Sequence, residues 1–303
     1  MTKISTLGNS LLGALEEKLR KRLGQAFRIQ HIIPVYGGDI NSSYRIKTNL
    51  GDYFVKINDN DIYPHMFEKE ARGLQLLRST GNVHVPETID KGVIGHTAFL
   101  VLEFIEKGEK PAGFWEQFGS EIAGMHRQTQ RYYGLDEDNY IGSLLQINKQ
   151  DSSWVNFFIQ NRLRYQLKLA TNKGIVSGNI LEKFERLFDM LHGLFPIEFP
   201  HLIHGDLWSG NFLCSREGHP YIFDPAVYYG NREMDLAMTR LFGGFDQAFY
   251  DAYLEAFPLQ PDWEERLPVY QLYPLLVHLN LFGISYLEPI MTILNRYVGG
   301  KTV

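Results

Sequence analysis

Strand-forming and helix-forming segments are segregated along this chain, and that segregation limits the possible folds more than any composition value does. Residues 31–36, 43–48 and 53–57 are short β-branched and aromatic runs, divided by the turn sequences GGDIN and NLGD. Before them, Leu11, Leu12, Leu15, Leu19 and Leu23 recur at helical spacing. Residues 65–78 repeat with a 3.6-residue period, and AFLVLEFI at 98–105 is a continuous apolar run of strand length. EKGEKPAG at 106–113, with two glycines, a proline and four charges, is the best linker candidate. Beyond it, 114–129, 154–172, 180–194, 233–242, 246–257 and 267–287 read as helices, and the only later strands are expected near 202–224. The chain is therefore expected to be α+β and two-lobed, with a β-rich lobe over 1–105 and a mostly helical lobe over 106–303. A cleft between lobes is a frequent ligand site.

Composition excludes several classes. At 303 residues and 44% hydrophobic content the chain can bury a sizeable core. A net charge of −5 argues against a general nucleic-acid binder, though not against a local basic pocket. No run of 18 apolar residues exists, so no membrane partner is expected, and the amphipathic N-terminus does not read as a signal peptide. One cysteine, Cys214, allows no internal disulfide, which suits a reducing cytoplasm. The ten histidines show no zinc-ligand spacing.

The stretch LIHGDLWSGNFLC, 202–214, joins two apolar runs through a loop holding Asp206, Trp208 and Asn211. Residues 212–215 and 220–223 read as a hairpin around the turn 216–219. Asn211 precedes its first strand and Asp224 follows its second, so antiparallel pairing brings them together, with Asp206 beside them. Two carboxylates and an amide are hard-oxygen ligands suited to Mg²⁺. In YFVKI, 53–57, Lys56 points to the face opposite Tyr53, Val55 and Ile57. In FEKEARGLQLL, 67–77, the helical wheel sets Glu70 between Leu74 and Leu77. A carboxylate on an apolar stripe needs a partner, and Lys56 is the natural cation. Such a pair can position a lysine on the α- and β-phosphates of ATP. The turn VYGGDINSSY, 35–44, lacks both the Walker pattern and the strand-to-helix context of a dinucleotide fingerprint. It fits either a plain hairpin turn or a flap whose backbone N–H groups meet phosphate.

These features together resemble the aminoglycoside/choline kinase branch of the protein-kinase-like fold. GGDINSSYRI, VKIN, FEKEARGL, FLVLEFI, EIAGMHR, YGLDEDNYIGSLLQ, HGDLWSGN, FDPAVYYGNREMDLAM and YPLLVHLNLFG narrow the resemblance to the fructosamine kinase family. The resemblance spans about Gly37 to Gly283. It implies ATP- and Mg²⁺-dependent phosphorylation of the 3-hydroxyl of a free or protein-bound ketosamine, a glycation product. By that resemblance Asp206 is the catalytic carboxylate, and Asn211 and Asp224 hold Mg²⁺. Gly37, Gly38, Asp39, Asn41, Ser42, Ser43, Lys56 and Glu70 serve the nucleotide phosphates, and Glu103 and Ile105 serve adenine. Trp208 either faces the substrate or packs under its loop. His278, on an apolar helix, either is a satisfied core histidine or lines the substrate. His204 and Asp235 are expected to support the catalytic loop. Eukaryotic family members often carry a cysteine in the glycine loop. Asp39 and Ile40 stand there in this chain, so thiol regulation is not expected. Kinases of another alcohol or amino sugar, and a nucleotide-binding protein without turnover, are the competing expectations.

Overall fold

A computed structural model describes residues 8–36 and 40–299. Helix α1 (Asn9–Leu23) precedes a five-stranded antiparallel sheet of β1 (Ile29–Val35), β2 (Ser42–Thr48), β3 (Gly51–Asp59), β4 (Thr88–Ile94) and β5 (Thr97–Glu103). The strand order is β1-β2-β3-β5-β4, and α2 (Met66–Ser79) lies between β3 and β4 in sequence. Alternation along β3 sets the two faces of the sheet. Val55 joins Ile46, Phe99 and Val101 under Leu15 and Leu19 of α1. Lys56 faces the other way, toward the side where Leu100 and Leu102 pack with Phe67, Ala71, Leu74 and Leu77 of α2. The pattern that placed Lys56 opposite Val55 thus also places it beneath α2.

The rest of the chain is mostly helical. It contains α3 (Phe114–His126), α6 (Gly178–Leu194), α7 (Glu233–Leu241), α8 (Gln247–Ala256), α9 (Trp263–Phe282) and α10 (Leu287–Val298). Residues 154–172 form one rod in which α4 (Trp154–Phe157) and α5 (Tyr165–Asn172) are joined by a π-helical segment, Phe158–Arg164. Its wide turn buries Arg162, whose guanidinium lies 3.9 Å from the centre of the Tyr228 ring. Helices α3 and α8 approach so closely that a Cβ at Gly119 would stand 2.1 Å from the Phe249 carbonyl oxygen. Aromatic rings of Phe118, Phe212, Phe245 and Phe249 fill the space beside this crossing. Among the described residues no helix is long and apolar enough to cross a membrane.

Several expected boundaries move. β4 was not expected; its residues are all partly exposed or exposed, so it has no apolar alternation. Strands also occur outside 202–224. β6 (Asn139–Ile141) pairs with β7 (Leu144–Gln146), and β11 (Tyr228–Gly230) pairs with β8 (His201–Ile203). Three residues are too few to display a period. The helix expected over 267–287 ends at Phe282, because Gly283 turns to φ 99°. One 3₁₀ turn then leads into α10. α9 is buried nearly all round, so its apolar pattern carries no edge from which an end could be read.

The crossing at Gly119 gives a stability test. Gly119→Ala inserts a methyl against a backbone oxygen that cannot rotate away, so it should cost about 1–3 kcal/mol by overpacking. Gly193→Ala in α6 meets nothing within 4 Å and is the control. Thermal melts should show a lowered Tm for the first variant and an equal or higher one for the second. Equal melting of both would refute the close crossing.

Candidate active site

The two parts of the chain meet at a cavity of about 240 Å³. Hairpin β9 (Phe212–Cys214) and β10 (Pro220–Ile222) pairs Phe212 with Ile222, and Phe223 N donates to Asn211 O at 3.0 Å. This antiparallel mouth brings Asn211 and Asp224 side by side. Asn211 turns its amide toward the loop, donating Nδ2 to the backbone O of Asp206 at 2.8 Å and to its Oδ2 at 2.9 Å. Asp206, Trp208, Asn211 and Asp224 all line the cavity.

Lys56 organises the opposite wall. Its Nζ donates to Glu70 Oε1 and Oε2 at 2.8 and 2.9 Å, and to Asp224 Oδ1 at 2.9 Å. The bond to Asp224 was not foreseen and ties the sheet to the helical lobe. Burial works against the Lys56 charge, but the Asp224 and Glu70 carboxylates outweigh it and hold its pKa above the ordinary lysine range. Burial, and the nearby Asp224, push Glu70 above the usual carboxylate range, while Lys56 pulls it back. Asp224 adopts a left-handed backbone, φ 55°, which is costly for a residue with a Cβ. That strained turn aims its carboxylate at Lys56.

The loop before Asp206 is held from behind. Asp235 accepts N–H of His204 at 2.7 Å and of Gly205 at 2.9 Å, and its Oδ2 lies 3.1 Å from His126 Nε2. Burial opposes its charge, yet these donors hold Asp235 below its ordinary pKa. His204 is fully buried; its Nε2 donates to Phe223 O at 3.0 Å, and its Nδ1 accepts Asp206 N–H at 3.3 Å. Burial lowers its pKa, so it is a neutral spacer between the loop and the hairpin. Gly205 has φ 82°, and a Cβ there would lie 2.1 Å from Ala226 O, so only glycine fits. His126 was missed from the sequence; it sits in an apolar helix and gave no sign of its partner.

Other expected residues divide. Asn41 and Ser43 line the cavity, whereas Ser42 is exposed on the alternate side of β2. Gly37, Gly38 and Asp39 lie outside the described residues. Glu103 and Ile105 do not line this cavity, and Glu103 N–H is taken by Glu87 O at 2.8 Å. Trp208 and His278 both face the cavity, and Trp208 stacks edge-on to Phe242 at 5.9 Å. Hairpin β6–β7 supplies Tyr140, Ile141 and Gly142 to the wall, which sequence reasoning did not find.

The donor set suits a hard divalent ion. Asp206, Asp224 and the Asn211 carbonyl group present oxygens to one space. Glu70 and Asp224 answer the buried Lys56 ammonium, and Asp206 adds a third carboxylate to the same cavity. Among the described residues no cluster of three or more His, Cys, Asp or Glu forms a ready metal cage. Mg²⁺ does not need one, since it keeps waters and shares phosphate oxygens.

Burial pushes Asp206 up to about 7, with Asn211 opposing and Asp224 and Asp235 adding to the rise. A carboxyl raised on folding stabilises the fold fully only below the unfolded range near 4, and that contribution is lost as pH rises through about 7. Asp206→Asn removes the titration. In EDTA, without nucleotide, the variant's Tm advantage over the parent should be larger at pH 8 than at pH 5. A constant difference across that range would refute a raised Asp206.

The chain is similar in sequence and fold to known proteins. The family model described as fructosamine kinase matches residues 12–299. A protein of Enterococcus faecium named "Probable ketoamine kinase" is 43% identical over 268 residues, covering 88% of this chain and 95% of its own. A rice protein (Oryza sativa subsp. indica) named "Protein-ribulosamine 3-kinase, chloroplastic" is 38% identical over 298 residues, covering 95% of this chain and 86% of its own. The crystal structure of a candidate fructosamine-3-kinase from Haemophilus somnus superposes with a TM-score of 0.86 at 31% identity, covering 94% of this chain and 96% of that one. The aminoglycoside phosphotransferase APH(4)-Ia shares the fold at a TM-score of 0.61 and 14% identity, covering 94% of this chain and 99% of a thermostable mutant of it. The chain belongs to the fructosamine kinase family.

Proposed function

We propose that this protein is an ATP-dependent kinase of ketosamines, transferring the γ-phosphoryl group to the 3-hydroxyl of a fructosamine- or ribulosamine-type compound. The observation that carries this reading is the shared cavity, in which the Asp206 carboxylate faces the Lys56–Glu70–Asp224 cluster. The names of the relatives support the same substrate class and do not favour choline or an aminoglycoside.

In this reading Lys56 binds the α- and β-phosphates while Glu70 keeps it in place. Asn211 and Asp224 would hold Mg²⁺, which supplies charge neutralisation at the phosphates. Asn41 and Ser43 offer polar groups near the same end. Asp206 accepts or orients the proton of the substrate hydroxyl. The hydroxyl oxygen forms a bond to the γ-phosphorus, and the bond from that phosphorus to the bridging oxygen of ADP breaks. Asn211, by holding one Asp206 oxygen, leaves the other for the hydroxyl. Trp208 gives a flat wall for the sugar carbons. His278 donates Nδ1–H to Pro274 O at 2.8 Å, and burial lowers its pKa, so Nε2 is left as an acceptor for a substrate hydroxyl. A site lined this way rejects analogues lacking those hydroxyls.

The test is ATP consumption over ribulosamines, fructosamines, aminoglycosides and choline. A ketosamine should be the best acceptor, and Asp206→Asn should lose about 10²–10⁴ in turnover with it. Faster phosphorylation of choline or an aminoglycoside would overturn the substrate, and near-normal turnover of Asp206→Asn would overturn the residue. Among metal-site variants, Asp224→Ala should be inactive at any Mg²⁺ concentration. Asn211→Ala should recover partly in excess Mg²⁺, because a neutral ligand contributes less than an anionic one. The reverse ranking would reject the proposed ligands.

A further inference from the structure

Residues 136–138, Asp-Glu-Asp, form an acidic loop just before β6 that the reaction does not use. The charges of Asp136 and Glu137 are engaged by α2. Arg72 Nη2 donates to Asp136 Oδ1 and Oδ2 at 2.8 and 2.7 Å, and its Nη1 donates to Glu137 Oε1 at 2.5 Å. Lys69 donates to the Asp138 carbonyl oxygen and stands 3.7 Å from Glu137 Oε2. These two cations flank Glu70 in sequence, so the loop grips the helix at the turn that carries the Lys56 partner.

The same loop is fastened on its other side to the backbone that follows Asp224. Asp138 Oδ1 accepts Asn148 N–H at 2.7 Å, and Asn148 Nδ2 donates to Glu137 O at 3.1 Å and to Asn139 Oδ1 at 3.0 Å. Asn139 Nδ2 donates to Val227 O at 2.8 Å, and Gln146 Nε2 donates to Ala226 O at 3.0 Å. Buried Arg162 supports Asn148 from below, donating to its Oδ1 at 2.8 Å. A continuous polar path therefore links the helix of Glu70 to the segment of Asp224. α2 needs such a link, since it starts after a left-handed His65 and has no capping side chain.

We propose that Arg72 is a positioning residue that, through the 136–138 loop, fixes the spacing of Glu70 and Asp224 around Lys56 and so sets the affinity for nucleotide phosphates. The pair to Asp136 is partly exposed, so it adds little to global stability, and its loss should leave the protein folded. What it restrains is one helix beside one ammonium.

This proposal rests on the kinase reading, and its test separates the two. Calorimetry with MgATP on the parent protein comes first: no binding would refute the kinase reading itself. With binding in hand, Arg72→Ala should weaken MgATP about tenfold, within the range by which residues along such a path change coupling. The Michaelis constant for the ketosamine should change much less than that for ATP, and Tm should hardly move. Arg72→Lys, which keeps the charge but loses the two-pronged contact, should fall between. Exchanging the charges in Arg72→Asp with Asp136→Arg should restore affinity relative to Arg72→Asp alone. Unchanged MgATP affinity in Arg72→Ala would overturn the proposal. So would a drop in Tm with equal rises in both Michaelis constants, which would assign Arg72 to stability alone.

Discussion

One ammonium between two carboxylates sets the geometry of this protein. Lys56 comes from the sheet, Glu70 from the helix above it, and Asp224 from the end of a hairpin in the other lobe. Taking the Lys56 and Glu70 charges out of water costs several kcal/mol per ion, which their close pairing offsets, while Asp224 stays 44% exposed and bears little of that cost. Removing one partner would strand a buried charge, so the three elements are held at one spacing. The strained backbone at Asp224 fits this account, because an ordinary conformation there would need another path for its carboxylate.

The site also holds two carboxylates with opposite fates, Asp235 buried and Asp206 partly buried at the cavity. Asp235 receives two backbone N–H groups and faces a histidine, and these donors hold it below the ordinary range despite its burial. Asp206 has a single side-chain donor and two acidic neighbours, and burial pushes it up to about 7. The well hydrogen-bonded charge, Asp235, serves geometry by fixing the loop. The one with fewer donors, Asp206, opens on the cavity with its pKa raised, which is the division expected where neighbouring acids take different roles.

Legibility of the sequence follows from how far each feature depends on its neighbours in the chain. The two-lobed plan was readable because strand and helix periods are local. Lys56 and Glu70 were readable because each breaks its own pattern, a charge on a face that ought to be apolar. Asn211 and Asp224 were readable from hairpin arithmetic, since pairing fixes both ends at once. His126 and Arg162 were not readable, because a buried polar residue in an apolar helix looks alike whether its partner is a carboxylate or a carbonyl. The contact of Asp224 with Lys56 spans 168 positions and leaves no local trace. Hairpin β6–β7 was missed because its strands are three residues long, although it supplies one wall of the cavity.

Charged groups and aromatic rings line different parts of the cavity, and on the proposed reading that separates chemistry from selectivity. The charged end is built from groups whose spacing is dictated by Coulomb energy and by a hairpin register, so it tolerates little variation. The other end is built from rings: Trp208 against Phe242, Phe242 against His278 at 4.9 Å, and His278 against Phe282 at 5.4 Å. Those rings are only partly buried, and their contacts are dispersive and adjustable in shape. A change at that end would alter which acceptor fits without disturbing the Lys56 cluster. A protein at 14% identity shares this fold, and fold alone does not choose an acceptor; on the proposed reading that choice falls to the aromatic wall, Trp208 of the loop included, and to hairpin β6–β7.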